Sequence, residues 1–282
     1  MSGDPNTLSD LFTGSALDMA TGQMTSASLK GSRPKYTRPY RSSVVFGPSD
    51  PALTWFLAII RFAPVDQDGR TGPSTMSAPG MIFTNNGGIW SVSAADVQAP
   101  IPHPAFGSGD STLSGTDTDS HYVMAASAVA AQYASYLNKL TAGQQSVVPF
   151  VTGLTSFSSR IARVEWPPSS IAAAQFSFVV DTPQLVSYSI PNGGSTKPPE
   201  VLLFVLRRTV VLTPRQGCLV KRQGELNWSD VVPPGSYRSL TLRSVSVIAA
   251  TVPLNDGDTS QGRKVINISG GLDDVDATDV KC

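Results

Sequence analysis

Any general acid–base work at neutral pH would begin with imidazole, and the chain has two histidines, His103 and His121. His121 follows Asp117, Asp119 and Ser120, an Asp, Ser and His grouping that invites a hydrolase reading. A triad is assembled by geometry rather than by adjacency, and no Gly-x-Ser-x-Gly elbow occurs. Acids and Ser ahead of a helical pattern read instead as groups that cap backbone amides. His103 lies between Pro102 and Pro104, in a loop. We therefore expect no enzyme.

Metal and phosphate chemistry have equally thin support. Two histidines and two cysteines, Cys218 and Cys282, lack the short spacing of a zinc cage. Calcium needs only oxygen ligands, and two acidic segments are present: Asp66 and Asp68 with Gly69, and Asp273, Asp274 and Asp276. Neither has the spacing of an EF-hand loop. No phosphate-cradling glycine loop occurs. The expectation is no cofactor and no metal, with the acids in solvated turns.

Positive charge carries more information. Lys30, Arg33, Lys35, Arg38 and Arg41 fall in one acid-free stretch, Lys30 to Arg41, with Tyr36 and Tyr40 among them. Such a stretch can neutralise phosphates while the tyrosines stack on bases, which makes these five the candidate nucleic-acid-binding residues. A solvated linker, or an arm packing through its prolines, reads equally from the same residues. Arg207, Arg208, Arg215, Lys221 and Arg222 form a second basic region, open to three readings: nucleic-acid contact, protection of a sheet edge, or ion pairs.

The elements that must position these groups are strands. From Val44 to Val252 short apolar or alternating runs are separated by Pro, Gly, Ser, Thr and Asn, and the chain holds 24 Gly and 22 Pro with 40% hydrophobic residues. Strands are expected at Ser43–Phe46, Leu53–Phe62, Gly80–Thr84, Gly88–Val92, Ser146–Thr152, Arg160–Trp166, Gln175–Val180, Leu185–Ile190, Val201–Val211, Cys218–Lys221 and Ser239–Val252. The Asn85-Asn86-Gly87 segment between two runs predicts a tight hairpin turn. One helical pattern runs from Ser120 to Gly143, capped by Asp119 or Ser120 and stopped by Gly143. Trp55, Trp90, Trp166 and Trp228 are expected in the core.

Charge sets the surface. Only 15% of residues are charged and the formal net charge is zero, so Ser, Thr, Gly, Pro and amides must cover most of the exterior. The longest apolar runs, Leu53–Ile60 and Val201–Leu206, are far shorter than the roughly 20 residues of a membrane helix. No secretory leader pattern is read at Met1–Met24, so the Asn227 and Asn267 glycosylation patterns carry little weight. With Cys218 and Cys282 distant in sequence, the expectation is no disulfide support and a reducing compartment. These observations divide the chain into an extended arm over residues 1–42, a two-sheet all-β sandwich over 43–254 with one inserted helix, and an acidic tail over 255–282.

A β-sandwich with a basic-ended arm at Lys30–Arg41 leading into Val44–Phe62, a Pro191-Asn192-Gly193-Gly194 turn and a low-charge surface resembles the jelly-roll coat proteins of small icosahedral RNA viruses, picorna-like coats most of all. The resemblance implies a jelly-roll fold and a structural capsid subunit. It would self-assemble with other coat subunits, in the host cytoplasm, into a virion that encloses genomic RNA and meets a host receptor. A carbohydrate- or receptor-binding β module, such as a viral protrusion or a phage fibre domain, is the alternative from another class.

Overall fold

A computed structural model describes residues 5–31, 37–46, 54–64, 80–97, 124–144, 150, 157–163, 171–189, 200–222, 229–254 and 266–282. Two helices come first, α1 (Pro5–Leu11) and α2 (Gly14–Leu29). Strands β1 (Thr37–Phe46), β2 (Trp55–Pro64), β3 (Gly80–Asn86) and β4 (Ile89–Val97) follow, then α3 (Ala126–Thr141) and α4 (Phe157–Ile161). The chain continues through β5 (Ile171–Ser189), β6 (Glu200–Pro214), β7 (Leu219–Lys221), β8 (Gly235–Val252), β9 (Asn267–Gly270) and β10 (Asp273–Lys281). The protein is mostly β, in two antiparallel sheets. One sheet has the order β1-β2-β3-β4; the other has the order β10-β8-β6-β5, with β7 and β9 also paired to β8. The small sheet is a meander of consecutive strands, whereas in the large sheet β8 lies between β6 and β10 and the short β7 and β9 pair with it.

The sequence of β6, Glu200 to Pro214, is apolar on both faces because both faces are buried. Side chains alternate across a strand. Leu202, Phe204 and Leu206 join Ile248, Ala250 and Val252 of β8 against Val129, Ala130, Tyr133 and Leu137 of α3. Their neighbours Val201, Leu203 and Val205, with Val245, Val247 and Ala249 of β8, face Leu57, Ile82 and Ala94 of the four-stranded sheet. The large sheet is thus a shared wall, with a helix layer on one side and the small sheet on the other. Further along the wall, Val210, Leu212, Leu240 and Leu242 meet Leu219, Val231, Val232 and Tyr237 in a third cluster.

Two turn signals hold in detail. Gly87 and Gly88 take φ of 64° and 92°, which β-carbon-bearing residues avoid, and Asn86 pairs with Ile89 across a two-residue hairpin. Asn85 Oδ1 accepts from the Gly88 amide at 2.8 Å. At the end of α3, Gly143 (φ 71°) donates to Leu140 and Gln144 donates to Lys139, a Schellman closure. The start of α3 differs from expectation. It begins at Ala126, with Ala125 as an N-cap that makes no side-chain bond, and Met124 packs on the core from outside the helix. Asp117, Asp119 and Ser120 lie outside the described residues.

Four further expectations are corrected. The arm is not extended over residues 5–29 but forms α1 and α2, with Ala16 and Met19 buried. Thr13 donates its amide to Val92, and Ser15 Oγ donates to the Ser93 carbonyl, so the helices seat on β4 through polar atoms that hydropathy does not report. The acidic segment after Ile266 does not trail as a tail but forms a strand: Asp273 to Lys281 pairs with β8 from Val245 to Tyr237. Arg160–Trp166 is not a strand where described, because Phe157–Ile161 is helical and buries Phe157 and Ile161 against the wall. Gln175–Val180 and the expected strand at Leu185–Ile190, as far as Ser189 where the described residues end, belong to one strand, β5, which passes Pro183 between register shifts at Val180/Thr182 and Thr182/Val186. An edge position tolerates that missing amide.

The cysteine expectation is also overturned. Cys218 and Cys282 form a disulfide with their Cα atoms 6.4 Å apart. Folding of the acidic segment onto β8 brings together residues that spacing alone keeps apart. The ground for expecting a reducing compartment goes with it.

Helix α2 crosses β10 at Gly22, where an added β-carbon would sit 2.7 Å from Val275 Cα. Gly to Ala within a helix ordinarily stabilises by about 1 kcal/mol. Gly22→Ala is expected to do the reverse, lowering the urea midpoint; a raised midpoint would remove this seat for α2.

Candidate functional site

Adjacent residues on a strand point to opposite faces, so Arg207 and Arg208 of β6 serve two different environments. Arg207 lies on the face that carries α2, where its guanidinium meets Asp18 at 2.7 Å and Asp181 of β5 at 2.9 Å. Those two carboxylates hold its pKa above the ordinary arginine value, the hydrogen bond that Arg207 donates to Asp181 contributing most. Arg208 lies on the other face. It reaches Ser244 Oγ at 3.0 Å, Asp274 Oδ1 at 3.3 Å and the Ile161 carbonyl at 3.2 Å. Ser244 Oγ in turn donates to Asp274 at 2.6 Å.

Register explains that second group. Arg208 pairs with Ser244, and Ser244 pairs with Asp274, so the three stand in a row across β6, β8 and β10. The row separates the α3 cluster from the third apolar cluster on the same face. For Arg207 and Arg208 the edge reading fails, because β6 is interior to its sheet, and ion pairing holds; Lys221 lies on β7, which pairs with β8 alone. Asp274 and Asp276 are likewise not in a solvated turn but on a strand, paired with Arg208 and Arg243.

The five candidate nucleic-acid residues separate. Lys30 caps the end of α2 and pairs with Asp230 at 2.5 Å, both side chains about half exposed. Arg33 and Lys35 lie outside the described residues. Arg38 and Arg41 lie on β1, the edge strand of the small sheet, where Arg38 pairs with Ala63 and Arg41 with Arg61. His103, His121, Asp66, Asp68 and the Pro191–Gly194 turn lie outside the described residues. Among the described residues, no group of three His, Cys, Asp or Glu could hold a metal ion. Nor, among them, is any helix long and apolar enough to cross a membrane.

Two surface features escaped the sequence reading. On the small sheet, Phe56 stacks on Phe83 with ring centroids 4.6 Å apart, and Trp90 tilts against Phe56 at 5.0 Å. Trp90 is 37% exposed and its neighbour Ile89 68%, so Trp90 is a surface residue rather than a core one. Trp55 packs on the core, while Trp166 and Trp228 lie outside the described residues. Outward alternation at the tip of the Asn-Gly hairpin was the available signal.

The second feature is a cleft of about 530 Å³ between α3 and β5, lined by Ala134, Asn138, Lys139, Phe178, Val179 and Val180. Strand β5 is a sheet edge, and the Asn138 amide plays the part of a missing neighbour: its Nδ2 donates to the Phe178 carbonyl and its Oδ1 accepts from the Phe178 amide, both at 2.9 Å. An Asn within an Ala-rich helix, here in its last turn, is disfavoured by propensity, which was the signal in the sequence. Deeper in the same helix, the Tyr133 hydroxyl pairs with Ser158 Oγ at 2.7 Å, and burial raises its pKa well beyond the usual tyrosine value.

No family model, curated protein or solved structure matches the chain.

The two arginine–aspartate pairs on β10 differ in exposure, and stability measurements should separate them. Asp274→Ala removes a carboxylate from the 9% exposed Arg208 and is expected to cost about 3 kcal/mol in urea unfolding. Asp276→Ala, from a pair with both side chains about half exposed, is expected to cost about 0–1 kcal/mol.

Proposed function

We propose that the chain is a structural subunit that assembles with other copies or with related subunits into a shell, as the coat of a small icosahedral RNA virus does. The observation that carries this reading is the distribution of exposed apolar side chains on a body poor in charge. Ile89 is 68% exposed, Val179 58%, Val280 54% and Val220 50%, on strands of both sheets. Side chains of this kind on sheet flanks suit burial against neighbours, and closed symmetry repeats each contact many times.

Support for an RNA-facing side comes from Arg38, Arg41 and Arg61, which the register sets on adjacent strands β1 and β2. Lys30 is already neutralised by Asp230 and adds nothing to that strip. A jelly roll alternates successive strands between its two sheets. The described strands, β1 to β4 in one sheet and β5 to β10 in the other, do not supply that order, so the proposal stands on the paired sheets and their flanks. Absence of catalysis, cytoplasmic assembly and location in the virion belong to the same proposal.

One observation favours the binding-module reading. The exposed Trp90 and the half-buried Phe56 and Phe83 together offer an aromatic surface of the kind on which a pyranose ring stacks.

A paired experiment separates the two. In the shell reading the purified chain forms particles or large oligomers in light scattering and electron micrographs, and an Ile89→Ser, Trp90→Ser double variant shifts it toward monomer with an unchanged circular dichroism spectrum. A monomer at high concentration, with glycan binding lost in the same variant, would replace the shell with the binding module.

A further inference from the structure

Strand β10 is held in two unlike ways along its length. Its first half is half-buried and interlocked: Asp274 joins Arg208 and Ser244, and Val275 packs on the cluster around Met19, with Gly22 of α2 directly above it. Past the register shift between Asp274 and Asp276, the side chains of Asp276, Thr278, Asp279, Val280 and Lys281 are all exposed. Only Ala277 there packs on the apolar cluster below. That outer half rests on its ladder to Leu242, Thr241, Leu240, Ser239 and Tyr237, on one half-exposed ion pair, Arg243–Asp276, and on the disulfide.

The disulfide sits where it governs this half. Tyr237 of β8 pairs with Leu219 of β7 and with Lys281 of β10, and the Cys218–Cys282 bond joins the ends of those two strands. Cys282 is exposed and its amide donates to the Ser236 carbonyl at 3.1 Å. Backbone bonds open to water, with little apolar burial behind them, mark the segments of a fold that open first. A covalent bond at the far end suppresses that opening by keeping the segment at high effective concentration over its partner.

We propose that Cys218–Cys282 is a redox latch that withholds the β8 edge, from Tyr237 to Leu242, from a second copy of this chain. The reductant is a dithiol. One of its thiolates attacks Cys282 Sγ and Cys218 leaves as thiolate; the second thiol then closes the dithiol to its own disulfide and releases Cys282. Two electrons and two protons pass to the cysteines, which end as thiols. With the latch open, residues Ala277 to Cys282 leave β8 while Asp274 and Val275 stay seated. The exposed edge then accepts the segment whose register against it is already known, Ala277–Lys281 of a second molecule. Exchange of an identical element between copies needs no new complementary surface. The shell reading is neither required by this inference nor supported by it.

Two measurements test it on the full chain. The first is hydrogen exchange with and without dithiothreitol. Protection at Leu240–Leu242 and Ala277–Lys281 is expected to fall at least tenfold more than at Leu203–Val205; an equal change at the two places would mean general destabilisation and overturn the latch.

The second mixes Cys218→Ser with Cys282→Ser under mild oxidation. Neither variant alone can form a Cys218–Cys282 bond. Exchange predicts a heterodimer on a non-reducing gel whose linked peptides join Cys218 of one copy to Cys282 of the other. Dimers joined only through like cysteines, or no dimers, would refute exchange, and the hydrogen-exchange result on the unaltered chain stands even where a variant folds poorly.

Discussion

Burial of β6 and β8 on both faces is the constraint from which the rest of the molecule follows. In these two strands even-numbered residues such as Leu202, Phe204, Ile248 and Ala250 face α3, and odd-numbered residues such as Val201, Leu203, Val245 and Val247 face the small sheet. A slip of one residue between them would exchange every side chain with its opposite face. The helix layer, the small sheet and the seat of α2 all presuppose the same register. An all-apolar strand cannot choose its own two faces; the shapes of the layers on either side do so, Tyr133 meeting Phe204 edge-on at 6.2 Å on one side and Leu57 and Ile82 filling the other.

Where the apolar pattern of β6 ends, two arginines take over, and strand geometry gives each a different task. Arg207 ties α2 and β5 to the wall through Asp18 and Asp181, in a partly wet setting where ion pairs weaken with salt. Arg208 stands among Ser244, Asp274 and the Ile161 carbonyl with little water to share its charge. A buried guanidinium tolerates that position only when its donors are matched, so α4, β8 and β10 must all be in place together. The charged row therefore couples three elements that hydrophobic burial alone would leave loosely related.

Sheet edges receive different treatments, and they bear on how copies of the chain could meet. The edge of β4 is covered by the chain from Phe12 to Ser15. Asn138 occupies the edge of β5 with a side chain in place of a strand. Strand β1 carries arginines along its edge, and β10 shows an exposed Val280 at its outer end. Charge and coverage discourage unspecific pairing of strands. Among the described strands, what stays apolar and exposed lies at the Ile89–Trp90 hairpin and on the flanks of β5, β7 and β10.

Local physics was enough to determine a good part of this protein. Period-two and continuous apolar runs placed β2, β3, β4, β6 and β8 within a few residues, because strand and buried-strand patterns are written in consecutive side chains. The turns at Gly87 and Gly143 followed from positive φ, a property of single residues. Everything that joins distant segments was decided only by the tertiary structure. The helices at 5–29 are amphipathic only weakly and are held by polar contacts to β4; the acidic segment at 273–281 is a strand because β8 offers it an edge and Arg208 and Arg243 offset its charge. The meeting of Cys218 with Cys282, and the scattering of Lys30 from Arg38 and Arg41, belong to the same class. Pairing across tens of residues depends on which surfaces remain uncovered after the wall has formed, and no window of consecutive residues contains that information.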